Sequence, residues 1–137
     1  MASSTAIFNS QEVIKGTRRH PVAAATLLHT GILLVIHTTT GMASAGVSAA
    51  NMRCVGRCAG TTDNSAGSAG DVSVPTVQGC FTFENSATAP LGVGDIGLPV
   101  YIEDDRTVAK TIASNAVACG RLLGFDGDKC IVDQSDL

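Results

Sequence analysis

The sequence predicts an all-β fold, a small β-barrel or β-sandwich with an extended N-terminal arm. Three observations lead there: six to eight short apolar runs of strand length, frequent Gly and Pro between them, and no segment with sustained helical periodicity. At 137 residues the chain suits one domain that buries roughly two-thirds of its unfolded surface. The expected division is an arm over residues 1–20 and a single β domain over residues 21–137.

Residues 1–20 read as an arm because small polar residues (Ser3, Ser4, Thr5, Asn9, Ser10, Gln11) surround two apolar pairs, Ile7-Phe8 and Val13-Ile14. A segment this short builds no core, so the pairs need a surface in the same molecule or in a partner. The tract Thr17-Arg18-Arg19-His20-Pro21 is expected to interrupt regular structure, since a residue before proline is held extended. The run Ile32-Leu33-Leu34-Val35-Ile36 predicts a strand buried on both faces. Thr38-Thr39-Thr40-Gly41 ends it, and residues 42–50, rich in Ala, Gly and Ser, predict no clear element. Residues 52–59 predict a strand carrying Val55, Cys54 and Cys58.

The stretch 61–70 (TTDNSAGSAG) is the most loop-like in the chain. Val72, Val74 and Val77 mark a strand that Pro75 demotes in part to an edge. In Gly79-Cys-Phe-Thr-Phe-Glu-Asn85, Phe81 and Phe83 take one face and Cys80, Thr82 and Glu84 the other. Residues 87–98 turn through Pro90, Gly92, Gly94 and Gly97, with room for a short helix near 93–96 or, in the arm, near 9–15. Val100-Tyr101-Ile102 is a strand stopped by Glu103-Asp104-Asp105-Arg106, and Thr107-Val108-Ala109-Lys110 returns from it. A strand within 115–125 meets Cys130-Ile131-Val132 across Asp126-Gly127, a dipeptide suited to the centre of a type I′ turn. Phe81, Phe83, Tyr101, Ile102, Leu122, Leu123 and Phe125 are the expected core.

Charged residues make up 15% of the chain, well below the usual ~25%. With 45% apolar residues, this argues against a disordered chain and for much surface covered by a partner, other copies of itself among the candidates. The charge is uneven: residues 1–62 hold five basic groups and one acid, residues 63–137 four basic groups and eleven acids. Such asymmetry favours contact between unlike faces. Nucleic-acid binding would need a basic stripe with stacking aromatics, whereas the basic cluster Arg18-Arg19-His20 is short and the chain has one Tyr and no Trp. No secretory signal is visible, and the most apolar stretch, residues 22–36, is interrupted by Thr26, His29, Thr30 and Gly31. A soluble protein made in the cytoplasm, with reduced and mostly buried cysteines, is expected.

Candidate chemistry is thin. Cys54 and Cys58 have a C-x₃-C spacing compatible with zinc, but no second ligand pair follows. His20, His29 and His37 supply partners for a cysteine nucleophile, without an orienting third group. Asp126-Gly127-Asp128 lacks the rest of a calcium loop, and Glu103-Asp104-Asp105 reads as a solvated turn. Gly92-Val-Gly94-Asp-Ile-Gly97 lacks the strand-to-helix setting and the Lys-Ser/Thr ending of a phosphate loop. No catalytic residue, metal site or cofactor is expected.

Four segments carry a resemblance: Asp63-Asn-Ser-Ala-Gly-Ser-Ala-Gly-Asp-Val-Ser-Val, Gly79-Cys-Phe-Thr-Phe-Glu-Asn-Ser, Pro90-Leu-Gly-Val-Gly-Asp-Ile-Gly and Val100-Tyr-Ile-Glu-Asp-Asp-Arg-Thr-Val-Ala-Lys-Thr. In this order and spacing the stretch 63–132 resembles the capsid cement, or head decoration, proteins of tailed bacteriophages and prophages. Departures fall at Leu98, Cys119 and Lys129-Cys130-Ile131, and residues 1–62 align only loosely. The resemblance implies a β-tulip-like fold that attaches to the outer surface of a phage capsid, commonly as a homotrimer, and braces the head against internal pressure. It also implies a partner in the major capsid protein, synthesis in the host bacterial cytoplasm, residence on the virion, and no enzymatic activity, nucleic acid or membrane partner. Ile7, Phe8, Val13 and Ile14 are then the expected anchors of the arm, with Arg18 and Arg19 meeting acidic capsid surface. Two rival readings are an outward-facing head module that binds host-surface glycans and a small thiol or metal-dependent hydrolase. One Tyr and no Trp weigh against the first.

Overall fold

The computed structural model describes residues 17–137. The fold is all-β. Twelve strands run in chain order: β1 (Thr17–Pro21), β2 (Thr26–Leu28), β3 (Leu33–His37), β4 (Ala43–Ala45), β5 (Met52–Cys58), β6 (Thr62–Asn64), β7 (Ser73–Val77), β8 (Cys80–Asn85), β9 (Pro99–Ile102), β10 (Thr107–Ala109), β11 (Ala118–Asp126) and β12 (Lys129–Asp133). Among the described residues the one helical element is the 3₁₀ turn Val93–Asp95, at one of the two places where the glycine-rich pattern allowed a short helix. The other, residues 9–15, lies outside the described residues.

The strands form a five-stranded sheet in the order β1-β7-β5-β3-β4, a closed barrel in the order β10-β8-β12-β11-β9, and a two-stranded ribbon of β2 and β6. Three-residue β10 closes the barrel, pairing parallel with β8 and antiparallel with β9. All three of its residues are buried.

Two apolar cores follow from alternation along β3. Leu33 and Val35 point into a cluster with the barrel residues Phe83, Val100, Ile102, Val108, Cys119, Leu122, Cys130 and Val132. Leu34 points the other way and packs with Val22, Leu28, Ala43, Cys58 and Val74. The apolar run from Ile32 is thus the shared wall of both cores, buried on both faces as its composition predicts.

A bulge in β5 decides which core each cysteine joins. In a straight strand Cys54 and Cys58, four apart, share a face. Here pairing with β3 slips between Leu34 and Val35, opposite Gly56 and Cys54. The inserted residue reverses the phase, placing Cys54 in the first core and Cys58 in the second. Gly56 has φ +138°, and a Cβ there would sit 2.6 Å from the Val77 carbonyl oxygen.

Several expectations need correction. Thr17–Pro21 does not interrupt regular structure: it is β1, paired in full with Ser73–Val77. The extended conformation that Pro21 imposes on His20 is itself strand conformation, so the proline ends β1 rather than preventing it. β7 is not an edge despite Pro75. Its pairing with β5 involves only Val77 and Thr76, and Ala59 N–H donates to the Pro75 carbonyl (2.9 Å), so the missing Pro75 N–H falls beyond the end of β5.

Residues 42–50, which carried no clear signal, contain β4, short and built of Ala43, Ser44 and Ala45. The loop-like stretch 61–70 contains β6, paired with β2. The β11–β12 turn is centred on Gly127 and Asp128, since Asp126 pairs with Lys129. Only Gly127 of the two has positive φ (+63°), the pattern of a type II′ rather than a type I′ turn. Of the expected core, Phe83, Ile102 and Leu122 are buried and Phe81, Tyr101 and Phe125 half-buried. Leu123 is 48% exposed, because alternation from buried Leu122 already points it outward; the bulge between Leu122 and Gly124 instead brings Phe125 back to the side of the first core.

Candidate interaction surface

Ile7, Phe8, Val13 and Ile14 lie outside the described residues. Arg18 and Arg19 stand on β1, both exposed. β1 is the outermost strand of its sheet, flanked by β7 on one side and by no described strand on the other. Arg19 reaches the Ser73 carbonyl through Nη1 at 3.4 Å. His20, half-buried beside them, has its pKa lowered by burial, which leaves it neutral at pH 7. After Pro21 the chain turns into the second core: Val22 N–H donates to the Val72 carbonyl (3.0 Å) and Ala23 N–H to that of Ala43 (3.0 Å).

The charge asymmetry of the sequence maps onto the two halves of the fold. Residues 17–79 hold four basic and two acidic groups, residues 80–137 four basic and nine acidic. The first half carries the basic strand β1, outermost among the described strands of its sheet. The barrel half presents acids together with an apolar knuckle at the 3₁₀ turn, where Val93 is 79% and Ile96 and Leu98 are each 50% exposed. Asp95 holds this turn from within, its carboxylate accepting from Gly92 N–H (2.8 Å) and pairing with Lys110 Nζ (3.2 Å). The Gly92 hydrogen bond, aided by Lys110 and opposed by partial burial, lowers the Asp95 pKa. Sequence reading missed these outward side chains, because a turn pattern does not say which way its residues point.

The titratable groups are dispersed. Among the described residues no group of three or more His, Cys, Asp or Glu side chains converges as a metal site would. The two cysteines at C-x₃-C spacing lie in separate cores. Burial pushes the Cys54 thiol up to about 12, against a smaller opposing hydrogen bond from Gly56. Burial, then the neighbouring Cys54, raises Cys119 well above the usual thiol range. Cys58 and Cys130 are raised by burial too. At neutral pH these four are protonated thiols, poor nucleophiles and poor metal ligands. Cys80 is exposed, and all five cysteines are free.

The acidic run is a built turn. Glu103 accepts from Ser86 Oγ (2.5 Å) and Thr88 Oγ1 (3.2 Å), and Asp104 accepts from Arg106 N–H (3.0 Å). A surface depression of about 440 Å³ is lined by Glu84, Asn85, Asp128 and Lys129, with Lys129 Nζ 3.9 Å from Glu84. What the described surface offers is area: a basic outermost strand, an acidic barrel and an apolar knuckle. Comparison with protein-family models, with curated proteins and with solved structures returned no match.

Proposed function

We propose that this chain is a virion structural protein, a cement or decoration protein that binds the outer surface of a tailed-phage capsid as an oligomer, a homotrimer by its resemblance, and stabilises the head. The observation that carries the reading is the position of β1. Among the described strands of its sheet β1 is outermost, and it carries exposed Arg18 and Arg19, the kind of edge that accepts another strand by β-augmentation. The ordered motifs between residues 63 and 132 supply the family resemblance.

In this reading Arg18 and Arg19 meet acidic surface of the major capsid protein, and Ile7, Phe8, Val13 and Ile14 anchor the preceding segment. The module makes and breaks no covalent bonds. Each copy contributes modest adhesive area, and oligomer symmetry multiplies it into avidity.

The test is to mix purified protein with heads of the phage that encodes it, prepared without it, and to pellet the heads. Saturable co-sedimentation and greater resistance of the heads to heat are expected. A protein that stays in the supernatant, or that turns over a substrate, overturns the proposal.

A further inference from the structure

The motif Asp63-Asn-Ser-Ala-Gly-Ser-Ala-Gly-Asp71 has so far been only a mark of resemblance, and its side chains say what it does. Asn64 is 3% exposed. Its Nδ2 donates to the carbonyls of Ala23 (2.9 Å) and Ser68 (3.0 Å) and lies 3.4 Å from that of Val22. Backbone bonds follow the same path: Gly70 N–H donates to Val22 O (2.9 Å), Ala25 N–H to Gly67 O (3.2 Å) and Val22 N–H to Val72 O (3.0 Å).

The loop is braced internally as well. Gly67 N–H donates to Asn64 O (3.1 Å), and Asp71 Oδ2 accepts from Ser68 N–H (2.9 Å). A Cβ at position 67 would collide with Asn64 Oδ1, so a larger residue there would have to displace the amide that grips residues 22 and 23. Ala25, held by Gly67, has φ +52°, a conformation an alanine keeps only when its surroundings impose it.

We infer that residues 63–71 form a clasp on the root of the N-terminal segment, and that Asn64 is a positioning residue for attachment to the capsid. The loop grips residues 22–25, directly after β1, and so fixes where the basic edge strand leaves the body of the protein. The inference rests on the proposed capsid role for its biological consequence, though not for the clasp itself. A polar loop that would otherwise be a free connector is spent on one short segment, and the segment it holds is the one carrying Arg18 and Arg19.

The experiment uses the full chain with Asn64→Ala, and with the milder Asp71→Ala, which removes only the exposed brace on Ser68. Hydrogen exchange reads the clasp without heads. Faster exchange is expected at the amides of Val22, Ala25 and Gly70, with those of Ile102 and Leu122 in the barrel unchanged. Equal acceleration in the barrel, or none at the three clasp amides, overturns the clasp.

Binding to heads reads the positioning role. Loss of a buried hydrogen-bonding hub should weaken binding of the full chain roughly tenfold. In a background carrying Arg18→Ser and Arg19→Ser, Asn64→Ala should weaken it no further. The same loss in both backgrounds overturns positioning through the N-terminal segment. Heads that bind no wild-type protein overturn the cement reading, and the exchange result then stands or falls separately.

Discussion

Gly56→Ala is the substitution whose cost the structure makes most explicit. At φ +138° an alanine enters a region that L residues rarely occupy, at roughly 1–3 kcal/mol. Its Cβ would also lie 2.6 Å from Val77 O and 3.1 Å from Thr76 Cγ2. Val77 and Thr76 are the only β7 residues paired to β5, so backbone, not a yielding side chain, has to move. Overpacking of that kind costs roughly 1–3 kcal/mol more. The total, roughly 2–6 kcal/mol, is a large share of the ~5–15 kcal/mol that stabilises a typical domain, and the middle of that range corresponds to about 10 °C or more in melting temperature.

Urea unfolding is the assay, with Gly127→Ala as control. Gly127 also has positive φ (+63°), but nothing lies within 4 Å of its Cβ position. The control should therefore lose only the left-handed backbone penalty, roughly 1–2 kcal/mol. A Gly56→Ala midpoint no lower than that of Gly127→Ala would refute the argument that the bulge needs a residue without a Cβ.

Three further outcomes follow from burial and charge. Leu122→Ala, in the first core, should cost roughly 2–5 kcal/mol, whereas its exposed neighbour Leu123→Ala should stay within about 0.5 kcal/mol; unfolding midpoints check the contrast. Cys80 should be the one thiol alkylated in the folded protein, the other four reacting only on unfolding. Partial desolvation, then the charge of Asp133 and the hydrogen bond to it, raises the Cys80 pKa, so Asp133→Asn should speed alkylation near pH 8; mass spectrometry of the labelled protein reads both. The Asp95 pKa is lowered in the folded state, so its contribution to stability is present above the unfolded Asp value and is lost as pH falls through the folded one. Asp95→Asn should melt below wild type at pH 7, with the gap closing as the solution is acidified below the ordinary Asp range.

Much of the fold was legible, and the failures share physical causes. Periodicity located β3, β8, β9 and β12, because each buries enough apolar side chain to leave a pattern. It could not locate β4 or β6, whose residues Ala43-Ser44-Ala45 and Thr62-Asp63-Asn64 carry too little apolar side chain to leave a pattern, although Ala43 is buried in the second core and Asn64 is held by hydrogen bonds. Proline misled twice for one reason: Pro21 and Pro75 both occur in strands, placed where the missing N–H is not needed.

Bulges were invisible, since slipped register depends on a partner strand. They moved Cys58 to the second core and turned Phe125 toward the first. Of the candidate site, Arg18 and Arg19 were found on an exposed strand, while Asn64 was passed over because a buried amide inside a run of Ser, Ala and Gly looks like solvent-facing loop.

The most direct test of the cement reading is to image heads of the encoding phage by electron cryomicroscopy with and without the protein. The account predicts added density at symmetry-equivalent positions on the outer shell, in a fixed number of copies, with β1 and the segment before it against the major capsid protein. Shells indistinguishable in the two images, or density that makes contact only through the face of the barrel farthest from β1, would contradict it.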